Sequence, residues 1–521
     1  MKITDLSGCA VDPGRVVSFA LGVPEDPGTV GAPPDGRPPA YVQEAHIRTV
    51  RDLRERGVDA PAWVGTAFDL PAHTELAAVE HVLRQWTLRH ETLRSGFAWE
   101  GDGLRRFTLA PEQVRLRRTD HGHHARAEDV CRLLQERFDA ATNPLQWPNF
   151  VYAVVQSAQV TRLYLGFDHT NVDAYSINLM PAQIRGELAR YAAQFTPPYT
   201  AQGCEGSAPA PQALTRPPAP RRPEPEAAAA ATPGGDDAAL DALSGNGRCE
   251  SRESHDSYES YDSYVDFCGI ERAQADEARA ADAAVERWRS FIAACGGALP
   301  SFPLDTGVCP GDFPEQHLWT EMITDADQAA AFDARCRAHG GVLPGLVAAS
   351  ALVVQEAGGP STYRTVVPFH TRATSRWDLS VGWYVGVVPV EIATGEARDF
   401  ADLLTMARAA LRADRRLARL PVARALALLG EDFRPSSPDL FSLLSYTDSR
   451  AAPGAADWEA WRSRTLLRVS RSDQVCVWTT RVHDGLQLVV RYPDTPQAQK
   501  SVARYAEGLR AVVNTVARTG R

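Results

Sequence analysis

Residues 161–180 of this 521-residue chain read TRLYLGFDHTNVDAYSINLM, and two kinds of periodicity meet in that stretch. Residues 162–167 are rich in aromatic and apolar side chains and predict a strand. Over residues 174–193 the apolar residues recur at helical spacing, and Pro181 marks a point where this helix can kink. The predicted buried face of the helix consists of Ile177, Met180, Ile184 and Leu188. The polar turn between strand and helix therefore has a rigid element on each side.

This polar turn carries groups that are suited to chemistry. His169 can accept a proton near neutral pH, and the flanking strand and helix would hold it in a defined position. Asp173 stands where the helix N-cap is expected, so its carboxylate would complement the helix dipole. Spacing alone favours a plainer interpretation, which is a surface histidine beside an ordinary capping aspartate. Ser176 is interpreted as an ordinary helix serine.

Helices and strands alternate in both halves of the chain. In the first half, Thr74 is the expected N-cap of a helix that ends near Arg89, and residues 150–155 form a further strand. In the second half, the predicted helices cover residues 279–294 and 399–418, and the predicted strands cover residues 365–369, 385–392, 474–481 and 486–492. This alternation predicts two α/β lobes, and the periodicity leaves their topology open.

One segment differs from the rest in composition. Residues 202–260 include APAPQALTRPPAPRRPEPEAAAAATPGG and then a run rich in Asp, Ser and Glu. Such a segment has too few large apolar side chains to offset the entropy lost on ordering, so it predicts a flexible linker at the surface. The expected division is therefore an N-terminal lobe (1–201), the linker (202–260) and a C-terminal lobe (261–521). Each lobe is large enough for its own core.

The overall composition excludes several classes of protein. With 44% hydrophobic and 23% charged residues the chain is an ordinary globular protein, and a net charge of -10 argues against nucleic-acid binding. No signal peptide is recognised, and no run approaches the roughly 18 apolar residues of a membrane span. The nine scattered cysteines contain no CxxC pair and predict reduced thiols in a cytoplasmic protein.

Other catalytic signatures are missing from the sequence. There is no GxSxG elbow, P-loop, GxGxxG or HExxH motif, so chemistry without a covalent enzyme intermediate fits best, and neither a metal nor a redox cofactor is expected. The pair His123-His124 follows a polar run and precedes Glu128, and we interpret it as a solvated loop or a helix start.

Three motifs in the same order resemble those of one enzyme superfamily. Asp168-His169-Thr170-Asn171-Val172-Asp173-Ala174 is similar to the HHxxxDG signature of nonribosomal peptide synthetase condensation domains, with Asp168 in place of the first histidine and Ala174 in place of the glycine. The segment 89–97, RHETLRSGF, resembles the RHExLRTxF motif upstream of that signature. The segments 367–372, VPFHTR, and 381–385, VGWYV, resemble the downstream segments. Within the superfamily the chain most resembles the polyketide-associated (Pap-type) acyltransferases of actinobacteria, and the resemblance covers nearly everything outside residues 202–260.

The resemblance implies a fold and a set of site residues. The fold would be two chloramphenicol-acetyltransferase-like lobes that form a V-shaped pseudo-dimer around a central tunnel. His169 would be the catalytic residue, and Asp173 would be structural, paired with Arg372 across the lobes. The candidates for lining the tunnel are Asp168, Asn171, Tyr175, Trp383 and Tyr384.

The function that follows is acyl transfer from a thioester to a hydroxyl group. The donor would be a phosphopantetheine arm of an acyl carrier protein or coenzyme A, and the acceptor would be a small molecule, a polyketide or a glycolipid. Two alternatives stay open. One is a free-standing, amide-forming condensation enzyme that works with a peptidyl carrier protein, and the other is a catalytically silent relative that binds carrier proteins. A monomer is expected. The sequence leaves the acyl length and the acceptor open.

Overall fold

The computed structural model describes residues 1–22, 34–72, 74–195, 263–309, 311–337, 340–435, 437 and 441–519. The predicted linker, residues 202–260, lies outside the described residues. No single described helix is long and apolar enough to cross a membrane. The helices Ala326–Arg337 and Val342–Glu356 reach that length and composition only as a pair, which is bent by 97°.

The N-terminal half contributes most of one sheet. Its strands are β1 (Lys2–Thr4), β2 (Gly14–Leu21), β3 (Pro34–Asp35), β4 (Ala62–Asp69), β5 (Ser95–Glu100), β6 (Gly103–Thr108), β7 (Leu116–His124), β8 (Phe150–Gln156) and β9 (Thr161–Phe167). Its helices are α1 (Tyr41–Glu55), α2 (Leu76–Arg89), α3 (Ala127–Ala141) and α4 (Ala174–Phe195). Strands β3, β6 and β5 form a separate small sheet.

The C-terminal half builds a second, six-stranded sheet in the order β10-β16-β15-β13-β11-β12. Its elements are α5 (Tyr264–Asp276), α6 (Ala283–Ala294), β10 (Gln316–Asp325), α7 (Ala326–Arg337), α8 (Val342–Glu356), β11 (Tyr363–His370), β12 (Val385–Ile392), α9 (Phe400–Asp414), α10 (Val422–Leu429), β13 (Leu443–Asp448), β14 (Arg464–Val469), β15 (Cys476–Val482), β16 (Gly485–Pro493) and α11 (Pro496–Thr519).

Both sheets are buried by amphipathic helices. On the first sheet, α2 and α4 pack on one face and α3 packs on the other, which explains why β8 and β9 are almost continuously apolar. On the second sheet, α7, α8, α9 and α11 cover one face. Successive side chains of each strand point to opposite faces of the sheet, and those on the other face point toward the N-terminal half, where the candidate site lies.

The first sheet also departs from the predicted division of the chain. Its seven strands run in the order β1-β14-β4-β9-β8-β2-β7, and β14 comes from the C-terminal half. β14 pairs antiparallel with β4 and parallel with β1, so it covers an edge of β4 that would otherwise be unpaired. Periodicity identifies a strand but not its partner, so the predicted boundary at 202–260 carried no information about this pairing.

Two smaller predictions are also wrong. The N-cap of α2 is Glu75, because the Thr74 hydroxyl donates to the carbonyl oxygen of Pro71 instead. His123 and His124 lie in β7, an exposed strand at the edge of the first sheet, and not in a loop or a helix start. A row of solvent-facing polar residues on an edge strand has the composition of a loop, which explains the error.

Gly386 in β12 offers a test of the packing beneath the site. A Cβ added there would lie 2.0 Å from the carbonyl oxygen of Ala418, and backbone atoms cannot move aside easily. We expect Gly386→Ala to lower the free energy of unfolding by about 1–3 kcal/mol through overpacking. Gly186→Ala in α4 is the matched control, because an added Cβ there meets nothing within 4 Å and alanine favours the helix by up to ~1 kcal/mol. Urea unfolding of the two variants measures both effects, and equal stabilities would contradict the close approach.

Candidate active site

The turn that follows β9 is held by hydrogen bonds to Asn149. The Asp168 amide donates to the Asn149 carbonyl oxygen at 2.9 Å. The Asn149 side chain donates to the Thr170 hydroxyl at 2.8 Å and accepts from the Asn171 side chain at 2.7 Å. These residues are buried, apart from the half-buried His169 in the middle of the turn. The backbone therefore fixes the direction in which the imidazole of His169 points.

His169 borders a cavity of about 400 Å³ between the two sheets, which we call the inter-lobe cavity. Its imidazole stacks on the indole of Trp383, with the ring centroids 4.1 Å apart and the planes at 27°. The Nδ1 atom is buried and has no hydrogen-bond partner on another described residue. The nitrogen left to meet a substrate is therefore Nε2.

The surroundings of His169 keep its imidazole neutral. Burial lowers the pKa of His169 below the ordinary value, and the neighbouring charge of His46 lowers this pKa further. The carboxylates of Asp168 and Asp173 and the residue's own backbone act in the opposite direction without reversing the shift. A neutral imidazole beside a cavity can accept a proton from a bound molecule.

Asp173 and Arg372 form a buried ion pair between the two halves of the chain. Arg372 Nη1 donates to Asp173 Oδ2 at 2.7 Å and Nη2 donates to Oδ1 at 3.2 Å, and the two side chains are 1% and 3% exposed for Arg372 and Asp173, respectively. Burial alone would raise the pKa of Asp173, but the charge and hydrogen bonds of Arg372 outweigh it and hold this pKa below the ordinary value. Asp173 Oδ1 also accepts from the Ser176 amide at 2.7 Å, so the same carboxylate caps the first turn of α4.

Ser176 has a larger role than the sequence indicated. Its hydroxyl donates to the carbonyl oxygen of Gly382 at 2.9 Å and accepts from the Gly382 amide at 3.0 Å. It also accepts from Arg372 Nη2 at 3.0 Å. The hydroxyl therefore ties α4 to the segment that carries Trp383. The one signal in the sequence was its position three residues after Asp173, which is common to most capped helices.

The structure separates the five tunnel candidates. Trp383 lines the inter-lobe cavity together with His169. Tyr384 does not, because it is fully buried, its hydroxyl donates to Ser380, and its ring lies 4.1 Å from the guanidinium carbon of Arg372.

The other three candidates also lie away from this cavity. Asn171 is buried and bonds Asn149 and Thr92 within the turn. The ring of Tyr175 lies 4.5 Å from the guanidinium carbon of Arg372. Asp168 faces a different cavity, where it meets His46, a residue that the sequence did not single out. Among the residues with described positions, no group of His, Cys, Asp and Glu could hold a metal ion.

The inter-lobe cavity has walls of two kinds. Its apolar residues include Val42, Ala45, Val387, Val422, Phe441 and Leu443. A second group, which we call the hydroxyl wall, consists of Ser445, Thr447, Thr465 and Thr480. On β13, Leu443 and Thr447 are four residues apart, which places them about 13 Å from each other along the strand. The cavity lining therefore combines apolar side chains with a group of hydroxyl-bearing residues.

Solved structures identify the class of fold. The structure of PapA2 acyl transferase aligns with 99% of this chain and 100% of its own, with a TM-score of 0.80 and 23% sequence identity. The condensation domain of the Monacolin K polyketide synthase MokA aligns with 93% of this chain and 97% of its own, with a TM-score of 0.59 and 13% identity. The predicted fold of two chloramphenicol-acetyltransferase-like lobes is thereby confirmed.

Sequence relatives narrow the class further. No protein-family model matches the chain. Acyltransferase PapA3 of Mycobacterium tuberculosis is 25% identical over 528 residues, covering 100% of this chain and 98% of the relative. Trehalose-2-sulfate acyltransferase PapA2 of the same organism is 26% identical over 520 residues, covering 98% and 96%. The homologues of this chain are thus PapA acyltransferases, as its motifs predicted, and they support an acyltransferase enzyme.

The Asp173–Arg372 pair can be tested by a double-mutant cycle. Removing either partner leaves a buried charge without its counterion, so Asp173→Ala and Arg372→Ala should each lower the free energy of unfolding by about 3–5 kcal/mol. The double variant should lose much less than the sum. Arg398→Ala is the control, because Arg398 pairs with Asp402 at the surface and such pairs contribute about 0–1 kcal/mol. Additive losses in the cycle would show that the two charges do not stabilise each other.

Proposed function

We propose that this protein transfers an acyl group from a thioester to a hydroxyl group, with His169 as the general base. The donor is a phosphopantetheine arm of an acyl carrier protein or coenzyme A, and the acceptor is a small molecule, a polyketide or a glycolipid. The observation that carries the proposal is the neutral, half-buried imidazole of His169 at the wall of the inter-lobe cavity.

The proposed reaction proceeds by direct attack. His169 Nε2 takes the proton of the acceptor hydroxyl while the oxygen forms a bond to the thioester carbonyl carbon. The carbon–sulfur bond then breaks, and the proton held by His169 passes to the departing thiolate, which restores the neutral imidazole. General-base catalysis of this kind contributes roughly 10²–10⁴-fold, and holding both substrates in one cavity contributes through proximity.

Asp173 is not the base in this proposal. Arg372 holds its carboxylate ionised and occupies both of its oxygens, which are also bonded to backbone amides. A carboxylate with a lowered pKa is a poor proton acceptor at neutral pH. Its role is to fix the start of α4 and the segment that carries Trp383, as the motif resemblance implied.

The hydroxyl wall supports an uncharged acceptor that bears hydroxyl groups. The side-chain hydroxyls of Ser445, Thr447, Thr465 and Thr480 line the cavity. Thr447 and Thr480 are direct neighbours on β13 and β15. Hydroxyl groups at a cavity wall can donate to and accept from the hydroxyls of a bound acceptor. An amine that enters as a cation would be matched by a carboxylate, but Asp173, a carboxylate that lines the cavity, is already paired with Arg372.

The apolar part of the cavity lining supports an acyl chain as the other substrate. Valine, leucine and phenylalanine side chains there would bury methylene groups, each of which contributes about 0.8 kcal/mol when it leaves water. The relatives agree with both assignments. PapA2 is named a trehalose-2-sulfate acyltransferase, which supports a sugar or glycolipid acceptor. A starter condensation domain of rhizomide synthetase, aligned with a TM-score of 0.58, was solved with C8-CoA, which supports a thioester donor.

Replacement of His169 tests the general base. We expect His169→Ala to keep its fold and to lower the rate of transfer from octanoyl-CoA roughly 10²–10⁴-fold, measured by release of coenzyme A and by the mass of the ester. His317→Ala is the control, because His317 is an exposed histidine of β10. Since the pKa of His169 is lowered, the wild-type kcat/KM should fall only below the ordinary histidine pKa of about 6.5. A His169→Ala variant that turns over at the wild-type rate overturns the proposal.

Replacement of Thr447 and Thr480 tests the acceptor. The double variant Thr447→Val and Thr480→Val keeps the shape of the wall and removes two hydroxyls, so the KM for a hydroxyl acceptor should rise about tenfold while the KM for the acyl donor stays within about twofold. Thr405→Val on the exposed face of α9 is the control. A parallel assay with an amine of the same carbon skeleton distinguishes ester from amide formation. Unchanged KM values for the hydroxyl acceptor would exclude the wall as its binding site.

A further inference from the structure

The carboxylate of Asp168 is completely buried, directly beside the proposed base. Its Oδ1 accepts from the Thr170 amide at 2.8 Å, and its Oδ2 lies 2.9 Å from Nε2 of His46. The side chain of Asp168 is 0% exposed and that of His46 is 19% exposed. A buried carboxylate needs charged or hydrogen-bonding partners. His46 meets this need from α1, more than 100 residues away in sequence.

His46 stands between two cavities. It lines the inter-lobe cavity together with His169 and Trp383. It also lines a second cavity of about 710 Å³, whose wall includes Asp168, Arg54, Glu136 and Gln146. The pair of His46 and Asp168 thus lies between the two cavities. A side chain in such a place is held by its partner on one side and can touch the contents of the inter-lobe cavity on the other.

Trp383 connects His46 to the proposed base. The edge of the His46 ring meets the Trp383 indole, with centroids 5.6 Å apart and planes at 83°. The same indole stacks on His169 at 4.1 Å. The chain of contacts runs from Asp168 through His46 and Trp383 to His169, and Asp173, paired with Arg372, bonds the backbone beside Trp383 through the Tyr384 amide. The Trp383 indole that stacks on His169 is therefore held both by the His46 ring and through the neighbouring backbone.

We propose that His46 is a positioning residue of acyl transfer: anchored by Asp168, it holds the Trp383 indole and thereby the orientation in which His169 Nε2 meets the acceptor hydroxyl. The inference rests on the function proposed above. It also explains why the motif can carry Asp168 where related motifs have a histidine. An aspartate at that position brings an imidazole to the site from α1.

The charges around His169 give the inference a readout that packing alone would not move. The charged groups facing His169 are His46 from α1, Asp168 from its own turn, and Asp173, which is paired with Arg372. The charge of His46 lowers the pKa of His169, whereas the charge of Asp168 raises it. Without His46, the unbalanced Asp168 carboxylate would favour the imidazolium form of His169. The acid limb of the kcat/KM profile would then move to higher pH.

The experiment compares four variants of the full chain. His46→Ala removes the support, and His46→Gln keeps an N–H group able to donate to Asp168. The third variant is Asp168→Asn, and the fourth combines His46→Gln with Asp168→Asn. His317→Gln is the matched control, because His317 also pairs with an aspartate, Asp494, at 2.9 Å but is exposed. Each protein is assayed for transfer from octanoyl-CoA across a range of pH, and its fold is checked by urea unfolding.

We expect His46→Ala to lower kcat by roughly ten- to a hundredfold, as small misplacements of reacting groups do, with the KM of the donor changed less than about twofold. His46→Gln should recover part of kcat and shift the acid limb to higher pH, and the added Asp168→Asn should reverse that shift. If His46→Ala fails to fold, the His46→Gln series still decides.

Wild-type kcat and an unshifted pH profile in the His46→Gln and His46→Ala variants, with His169→Ala inactive, would overturn this inference and leave the proposed function standing. Retained transfer in His169→Ala would instead overturn the proposed function and this inference together.

Discussion

The ion pair between Asp173 and Arg372 is the constraint on which the site depends. Two charges that are almost completely buried lose their hydration, and their attraction offsets this loss only when the geometry is close and further hydrogen bonds are made. Asp173 meets this condition by accepting from Arg372, the Ser176 amide and the Tyr384 amide. A single carboxylate therefore caps α4, joins the two halves of the chain and sets the backbone beside Trp383. Because both side chains of the pair are buried between the two halves of the chain, the ion pair also fixes the distance between the two sheets.

The sequence predicted the elements of the fold better than their partners. Strands at 385–392 and 162–167 and the helix after residue 174 were expected from alternation and helical spacing, and the structure has them within a residue or two. Alternation depends on the two faces of one strand, so it is visible locally. The exchange of β14 into the first sheet is a pairing between residues about 400 positions apart. No local pattern encodes it, and a boundary drawn at the change of composition could not anticipate it.

The same limit applies to the site. The motif and its order in the chain predicted His169, Asp173 and Arg372, because the three positions resemble motifs with known spacing. His46 and the hydroxyl wall were not predicted, because only their contacts with residues on other elements place them at the cavity. In the sequence, His46 is one histidine on an amphipathic helix, and only the structure shows that Asp168 lies beside it. In the sequence, Thr447 and Thr480 are ordinary strand residues, and only the structure shows that they are neighbours lining one cavity. Of the two neighbouring aromatic candidates, Trp383 lines the cavity and Tyr384 packs against Arg372 instead, a difference that the motif does not encode.

The arrangement of charge around His169 suits its proposed role as a base, in which the imidazole would be a cation during transfer. Two carboxylates lie near the imidazole, and each is matched by a cationic or hydrogen-bonding partner, Arg372 for Asp173 and His46 for Asp168. Unmatched carboxylates would favour the imidazolium form before any substrate arrived, and a site without carboxylates would oppose the imidazolium that forms during transfer. Matched pairs avoid both extremes, so burial remains the largest influence on the pKa of His169 and keeps this residue neutral. Through Trp383 the two pairs would also orient the proposed base, so the electrostatic balance and this orientation would come from the same four side chains.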